Sequence, residues 1–366
     1  MGMESSYVDD GLVDRTPKPI SLPHPFGTNV GALPDGALIS CYAAVDDEVA
    51  RVGLHGADLT RRRAEQPTYL LRSRDNGSTW TQPRQIFAYP ADKGVVPGGG
   101  YVLVDRKGAW HVFAMRYFSL GEVGLSHLLH HVSRDGGETW SDCRRIDFGG
   151  DYSGALNSVI QLASGRIVLA LSFVHHERKT DPWVTRSVFS DDGGETWNRS
   201  NGIEVRREVA HSESGAIEPV MVELRNGLVW MLIRTTTGYL WESFSRDGQY
   251  WTPPIGTRLV SSNAPAGIER LRDGRLVLFW NNLYGEPYHG GTSYARHTLV
   301  GAISEDEGQT WSVPTTLAQR RDGEHLETQV CYPFPCQTAD GSILLVYTRV
   351  ESALRWNTAT QEMVAW

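Results

Sequence analysis

The feature that most constrains this sequence is an eight-residue pattern, Ser-x-Asp-x-Gly-x-Thr-Trp, which recurs at nearly constant spacing. It occurs as SRDNGSTW from Ser73, SRDGGETW from Ser133, SDDGGETW from Ser190 and SEDEGQTW from Ser304, and a copy one residue shorter, SRDGQYW, begins at Ser245. Successive copies begin 60, 57, 55 and 59 residues apart. A period of this length is typical of folds built from repeated supersecondary units.

A second repeat lies between these octads: a turn closed by glycine and followed by a short apolar strand. The turn glycines are Gly36, Gly108, Gly165, Gly227, Gly274 and Gly341. Each unit is predicted to contain four strands, with the glycine turn after the first and the octad before the last, as in a propeller blade. Long amphipathic helical patterns are absent. We therefore predict an all-β, six-bladed β-propeller with Asp-box turns, one domain over residues 1–366, in which residues 1–22 are an N-terminal extension.

The chemistry of the octad predicts a structural turn rather than a site. Its Ser and Asp side chains can hydrogen-bond nearby backbone, its Gly suits a positive φ, and its Trp can pack between neighbouring sheets. The five octad aspartates are therefore not interpreted as a catalytic or calcium-binding array. They are Asp75, Asp135, Asp192, Asp247 and Asp306.

Bulk properties restrict the partners of the chain. The formal charge of −8 argues against nucleic acid or an anionic membrane surface as a partner. No apolar run approaches 18 residues, and the N-terminus lacks the apolar segment of a signal peptide. We expect a cytoplasmic protein with no membrane association, or a secreted one if a leader was removed.

Metal and cofactor binding are not predicted. Four widely spaced cysteines match no zinc motif and are expected to be buried thiols. His127, His130 and His131 lie on one strand before an octad, where alternation points neighbouring side chains to opposite faces, so the histidines are not interpreted as metal ligands.

Asp boxes on six blades resemble the sialidase (neuraminidase) superfamily, and more locally the bacterial BNR-repeat sialidase-like proteins. The resemblance spans essentially the whole chain and implies an exo-sialidase-like glycoside hydrolase that cleaves a terminal acidic sugar from a glycan without a cofactor. It identifies the fold better than the reaction, because non-enzymatic propellers carry the same boxes.

The repeat also indicates where a site would lie. The first strand of each blade is expected to be closest to the central axis, and the position nine residues before the turn glycine lies near its start. These positions are Gly27, Gly99, Leu156, Glu218, Pro265 and Tyr332. In sialidases a glutamate polarises a tyrosine nucleophile from a later blade, and Glu218 and Tyr332 match this pair by resemblance.

Sialidases also hold the substrate carboxylate with an arginine cluster. Arg234 resembles the second arginine of that cluster and Arg296 the third. The first arginine is missing, because Thr28 and Asn29 occupy its place. Arg116 and Arg349 are alternative third cations.

The family's general acid comes from a blade-one loop. The interval from Gly36 to Gly108 is 72 residues, against 47 to 67 for the others. Within it we favour Asp58 as the acid, and Asp46, Asp47 and Glu65 are the alternatives.

Asparagines at strand ends are the remaining candidates for substrate binding. Asn157, Asn263, Asn281 and Asn282 are predicted to reach the same mouth of the propeller as Glu218, and Asn29 adds an amide where the arginine is missing. Two other functions stay open: a polysaccharide lyase acting on a uronic acid, and a carbohydrate-binding propeller without catalysis.

Overall fold

A computed structural model describes residues 17–22, 27–43, 65–90, 95–120, 123–175, 183–205, 215–284, 295–351 and 360–366. Across these ranges the regular elements are all β-strands, arranged in six antiparallel sheets. The sheets form the blades of a propeller, which confirms the predicted all-β, six-bladed fold. No helix in this described part of the chain is long and apolar enough to cross a bilayer.

Four strands follow one another outwards from the axis in each blade. Blade 1 consists of β2 (Gly31–Ala32), β3 (Leu38–Ala43), β4 (Glu65–Ser73) and β5 (Arg84–Pro90). Blade 2 consists of β6 (Val95–Val104), β7 (Trp110–Leu120), β8 (Val123–Ser133) and β9 (Arg144–Ile146). Blade 3 consists of β10 (Leu156–Gln161), β11 (Ile167–Phe173), β12 (Val184–Ser190) and β13 (Asn198–Arg199), with β14 (Ile203–Glu204) also paired to β12.

The other three blades follow the same order. Blade 4 consists of β15 (Ile217–Glu223), β16 (Val229–Arg234), β17 (Tyr239–Ser245) and β18 (Ile255–Val260). Blade 5 consists of β19 (Gly267–Arg270), β20 (Leu276–Trp280), β21 (Thr298–Ser304) and β22 (Thr315–Gln319). Blade 6 consists of β23 (Gln329–Gln337), β24 (Ile343–Val350), β25 (Thr360–Ala365) and β1 (Lys18–Ile20).

Blade 6 joins the two ends of the described chain. Lys18 pairs with Ala365 and Ile20 pairs with Met363, so β1 is the outermost strand of the last blade. Residues 1–22 were predicted to be an extension, yet 18–20 belong to the propeller. The three-residue strand KPI is too short to show an alternating pattern, and its pairing partner lies at the far end of the sequence.

The octads form the turns between the third and fourth strands, as predicted. In the first octad Ser73 Oγ donates to Asp75 Oδ1 (2.8 Å), Gly77 N donates to Ser73 Oγ (2.9 Å) and Thr79 N donates to Asp75 Oδ1 (2.9 Å). Hydrogen bonds from Thr79 and Ser73 lower the pKa of Asp75. Equivalent bonds recur in the octads that begin at 133, 190 and 304.

The octad tryptophans pack against the preceding blade, so that hydrophobic clusters lie between blades rather than within them. The tryptophans are Trp80, Trp140, Trp197, Trp251 and Trp311. Blade 6 has no octad, and Trp366 packs instead against the cluster between blades 5 and 6, with its ring centroid 5.6 Å from that of Phe279. A tryptophan of this kind therefore packs in each of the six interfaces between blades.

The cysteines are free thiols. Cys41, Cys331 and Cys336 are buried, as expected. The expectation was wrong for Cys143, which is exposed because it lies in the connection between the second octad and β9 rather than in a strand.

Candidate active site

The inner strands of four blades are interrupted by β-bulges or irregularities near their starts. The breaks in register lie between Pro97 and Gly100, Leu156 and Ser158, Ile217 and Val220, and Cys331 and Phe334. Glu218 and Tyr332 lie within the last two. A bulge turns a side chain away from the regular alternation of a strand, which makes it available at the mouth of the propeller.

The backbone is strained at both residues. Glu218 has φ 42° and Tyr332 has φ 56°, in the left-handed region that non-glycine residues rarely adopt. Among the described residues two other non-glycine side chains share this property, Asn76 and Glu307, and both occupy the fourth position of an octad. Strain that is not explained by a turn motif is typical of functional sites.

Local sequence supports these bulges. Glu218 is followed by Pro219 and Tyr332 by Pro333, and a proline has no N–H to donate to the ladder, so it is compatible with a break in pairing. In blade 4 the backbone N of Glu218 donates instead to Ser172 Oγ of the neighbouring blade (3.1 Å). Ser172 was not among the predicted residues; its signal is a polar side chain within the apolar strand IVLALSF.

Glu218 and Tyr332 meet directly. The Tyr332 hydroxyl donates to Glu218 Oε1 at 2.9 Å. Arg234 Nη1 binds the other carboxylate oxygen, Oε2, and lies 3.5 Å from the Tyr332 hydroxyl. Glu218 is 6% exposed and Arg234 3%, whereas Tyr332 is partly exposed. Tyr332 is therefore the most exposed of the three residues.

Electrostatics keep the phenol protonated. Burial raises the pKa of Tyr332, and the neighbouring Glu218 carboxylate raises it further. Arg234 and Arg296 oppose this by lowering the pKa of Tyr332. At neutral pH Tyr332 is therefore a neutral phenol whose hydroxyl donates to Glu218, the arrangement in which Glu218 can accept the phenol proton as the oxygen attacks.

Asn263 connects the two predicted arginines. Arg234 Nε donates to its side-chain Oδ1 (2.6 Å), and Arg296 Nε donates to its backbone carbonyl (2.8 Å). The guanidinium carbon of Arg296 lies 5.8 Å from the centre of the Tyr332 ring. The structure thus brings Glu218, Tyr332, Arg234 and Arg296 together around one mouth.

Neither Asn29 nor Arg349 joins this group. Asn29 Nδ2 donates to the carbonyl of Val102 (3.0 Å) and its Oδ1 accepts from the N–H of Val102 (2.8 Å), so the amide ties blade 1 to blade 2. Arg349 forms ion pairs with Glu362 (2.9 Å) and Glu324 (2.8 Å). Its guanidinium also donates to the backbone carbonyl of residue 319 in blade 5 (3.1 Å), away from the axis.

Arg116 contacts the neighbouring blade. Its Nη2 donates to the carbonyl of Pro90 (2.8 Å) and to Gln66 Oε1 (3.4 Å), and its guanidinium lies 5.1 Å from the centre of the Tyr89 ring. All three partners belong to blade 1. The missing first arginine is therefore not replaced at the Glu218–Tyr332 pair by either alternative cation within the described hydrogen bonds.

Asn281 and Asn157, which were also predicted to bind substrate, lie elsewhere in the propeller. Asn281 Nδ2 donates to the carbonyls of Thr298 (2.7 Å) and Val330 (2.8 Å) and so joins blades 5 and 6. Asn157, within the bulge of β10, lines an axial cavity of about 310 Å³. Asp58 lies outside the described residues, as do the alternatives Asp46 and Asp47. The third alternative, Glu65, is exposed and begins β4.

One histidine of the run, His130, is buried among other aromatic side chains. His130 lies in β8 and its Nε2 is 2.9 Å from Nδ1 of His111, with its ring stacked 4.6 Å from that of Phe113. Burial lowers the pKa of His130 to about 2. The part of the chain that the structure describes contains no group of three or more metal-ligating side chains.

The chain is similar in sequence to a known domain family and to a curated sialidase. Residues 70–345, more than half of the chain, match the BNR repeat-like domain family. The chain is 25% identical over 313 residues to a sialidase from Micromonospora viridifaciens, covering 76% of this chain but 44% of that protein. It therefore spans less than half the length of this curated relative.

Solved structures share the fold. A protein of unknown function from Dyadobacter fermentans superposes with a TM-score of 0.67 at 18% identity, over 95% of this chain and 96% of that one. The NanB sialidase from Streptococcus pneumoniae superposes with a TM-score of 0.65 at 14% identity, over 93% and 68%. The six blades, their Asp boxes and the family match agree, and we conclude that the chain belongs to the BNR repeat-like domain family as a sialidase-like propeller.

Proposed function

We propose that the protein is a retaining glycoside hydrolase that removes a terminal acidic sugar from a glycan, with Tyr332 as nucleophile and Glu218 as its base. The observation that supports this most strongly is the 2.9 Å hydrogen bond between the Tyr332 hydroxyl and the Glu218 carboxylate, held in strained backbone at both residues. The sialidase from Micromonospora viridifaciens and the sialidase folds lend further support.

The first half of the reaction uses the buried pair. The Tyr332 oxygen attacks the anomeric carbon as Glu218 accepts the phenol proton, and the glycosidic bond breaks. We assign protonation of the leaving oxygen to Asp58. Tyrosine is suited to an anomeric carbon that bears a carboxylate, because a neutral phenol avoids the repulsion that a carboxylate nucleophile would meet. Water then hydrolyses the covalent sugar–tyrosine intermediate with retention, the known exception to the two-carboxylate scheme.

Arg234 and Arg296 bind the substrate carboxylate in this proposal. Both are 3% exposed, and a planar guanidinium suits a carboxylate. Arg234 already binds Glu218 Oε2, so it aligns the base as well as the substrate. With two arginines in place of three, we expect weaker ground-state binding than in a three-arginine site.

The test is fluorophore release from aryl glycosides of sialic acid, its deaminated analogue, glucuronic acid and neutral sugars. Glu218→Gln and Tyr332→Phe should each lower kcat/KM for the acidic substrate at least a hundredfold, since both remove acid–base function. Tyr347→Phe is the matched control, because the Tyr347 hydroxyl also donates to a glutamate, Glu362, at 2.7 Å in the same blade. It should retain the wild-type rate.

Two outcomes would favour the other functions. A product that absorbs as a conjugated alkene, formed from a uronic acid-containing glycan, would indicate a polysaccharide lyase. Binding of an acidic sugar with no turnover of any substrate would indicate a carbohydrate-binding propeller. Turnover that is unaffected by both Glu218→Gln and Tyr332→Phe would contradict the assigned roles.

A further inference from the structure

The connection between blades 4 and 5 that carries Asn263 is buried. It joins β18 to β19, its residues 261–266 are all buried, and Asn263 is 1% exposed. Connections between strands normally run over the surface. Because a buried backbone must satisfy its polar groups within the protein, the contacts of this segment indicate which groups it holds.

A tight turn that is bound to both neighbouring blades fixes the backbone at Asn263. The N–H of Ala264 donates to the carbonyl of Ser262 at 2.7 Å, so Asn263 is the central residue of a three-residue turn. The residue before Ser262 donates its N–H to the carbonyl of Gly238 in blade 4 (2.9 Å). Ser262 donates its own N–H to the carbonyl of Asn281 in blade 5 (3.0 Å). The oxygens of Asn263 are therefore presented from a fixed point between the two blades.

Each oxygen of Asn263 holds one arginine. The side-chain Oδ1 accepts from Arg234 Nε at 2.6 Å, and the backbone carbonyl accepts from both Nε (2.8 Å) and Nη2 of Arg296. The side-chain Nδ2 is buried without a hydrogen-bond partner in the described part of the chain, and such a group destabilises a fold by about 1–3 kcal/mol. The hydrogen bonds described for this side chain and its carbonyl are thus made by acceptors that bind arginine.

These acceptors are uncharged. A further neutral group, Gln329 Oε1, lies 3.4 Å from Arg296 Nη1. The buried Arg349, by contrast, forms an ion pair with Glu362 at 2.9 Å. An aspartate in place of Asn263 would have the same shape and no unpaired donor, but its charge would reduce the positive potential that attracts a ligand carboxylate. A neutral amide fixes the two guanidiniums and adds no negative charge of its own.

We propose that Asn263 is the positioning residue of the carboxylate-binding arginines, and that its neutral oxygens make the site prefer a sugar acid over an uncharged sugar of the same shape. The inference rests on the proposed function for the assignment of Arg234 and Arg296 to the substrate carboxylate. Asn263 was predicted to bind substrate; in this proposal it acts through the two arginines instead.

Two substitutions separate this role from that of a structural joint between blades. Asn263→Asp keeps the shape and both acceptors and adds a charge, so its urea midpoint should be at or above that of the unsubstituted protein. Asn263→Ala removes the acceptor of Arg234 and keeps the backbone carbonyl. Asn201→Asp and Asn201→Ala are the matched controls, because the side chain of Asn201 also joins two blades. Its Oδ1 accepts from Trp251 N (2.8 Å) and its Nδ2 donates to the Trp251 carbonyl (3.2 Å).

The readout is binding of free sialic acid and free glucuronic acid, each beside its methyl ester, by calorimetry in the Tyr332→Phe background so that no turnover occurs. Without further substitution, one of the acids should bind at least about tenfold more tightly than its ester. Asn263→Asp should bring this ratio to about one, and Asn263→Ala should weaken binding of the acid about fivefold. Gln329→Glu, which adds a charge beside Arg296, should also lower the ratio. Both Asn201 variants should keep it.

The outcomes separate the two proposals. An acid-to-ester ratio that is unchanged in Asn263→Asp and Asn263→Ala, or that falls equally in the Asn201 variants, makes Asn263 only a structural joint, even when hydrolysis depends on Tyr332. Equal binding of acid and ester without these substitutions contradicts the inference too. Should Asn263→Asp not fold, an unchanged ratio in Gln329→Glu overturns it. If the protein turns over no glycoside yet loses its preference for the acid in Asn263→Asp, the positioning role stands and the hydrolase proposal fails.

Discussion

Glu269 gives this propeller a pH-dependent stability that can be estimated from its surroundings. It lies on β19, and its Oε1 accepts a hydrogen bond from the backbone N of Gln337 at 3.2 Å. Its Oε2 is buried without a hydrogen-bond partner among the described residues. Burial raises the pKa of Glu269 from 4.5 to about 7, against smaller lowering effects of the Gln337 N–H and Arg272.

A carboxyl group whose pKa is higher in the folded state than in the unfolded state destabilises the protein once it must ionise. The unfolded chain loses its proton near pH 4.5 and the folded chain near pH 7, so the unfolding free energy falls as pH rises between these values and is flat above them. The difference between these two pKa values corresponds to a total decrease of about 3 kcal/mol in the unfolding free energy. Glu269→Gln removes the ionisation and resembles the protonated acid in shape.

The expected result is therefore a difference that depends on pH. Glu269→Gln should match the wild type near pH 4.5 and exceed its unfolding free energy by up to about 3 kcal/mol at pH 8. Urea denaturation at half-unit steps from pH 4.5 to 8.5 measures this. The control for the change of residue type is Glu138→Gln, at a side chain that is 72% exposed. A Glu269→Gln difference that is constant from pH 5 to 8 would refute the reasoning.

Three further predictions concern the fold. Because burial holds the pKa of His130 at about 2, lowering the pH from 6.5 to 5 should cost about 2 kcal/mol of stability through this side chain, and urea denaturation of His130→Phe should show a smaller loss. Ser133→Ala leaves the buried N–H of Gly137 without its acceptor and should destabilise by about 1–3 kcal/mol with kcat unchanged. Trp366→Ala empties the interface beside Phe279 and should cost about 2–3 kcal/mol in the same assay, whereas Trp366→Phe should cost less.

The blade architecture was predictable because it is encoded locally. Within the first octad the Ser and Asp side chains accept from backbone N–H groups two to four residues away, so the turn needs no distant partner. The spacing of these turns then determines the number of blades. The Glu218–Tyr332 pair could be located for a related reason: both residues occupy the same position relative to a turn glycine, and equivalent positions of neighbouring blades meet around the axis.

What the sequence did not reveal depends on contacts between segments that are far apart in the sequence. The strand β1 owes its conformation to β25 at the other end of the chain. Asn29 was a plausible sugar ligand by position, but the amide is used to join two blades. The hydrogen bond from Glu218 N to Ser172 likewise involves a neighbour that lies 46 residues away in sequence. Positive φ at Glu218 and Tyr332 has no local sequence signal beyond the following proline.

The four strained positions show why the site occurs where it does. In the four full-length octads a positive φ at the fourth position serves the turn, and glycine fills it in two of them, at Gly136 and Gly193. At Glu218 and Tyr332 no turn requires that conformation, and glycine would adopt it without strain. Side chains are kept there at an energetic cost, on two blades that are not adjacent, and the result is a phenol hydrogen-bonded to a buried carboxylate at 2.9 Å. The six-fold repeat places equivalent positions around the axis. Two of these positions carry Glu218 and Tyr332 where the other blades carry small or apolar residues, and these two side chains form the proposed catalytic pair.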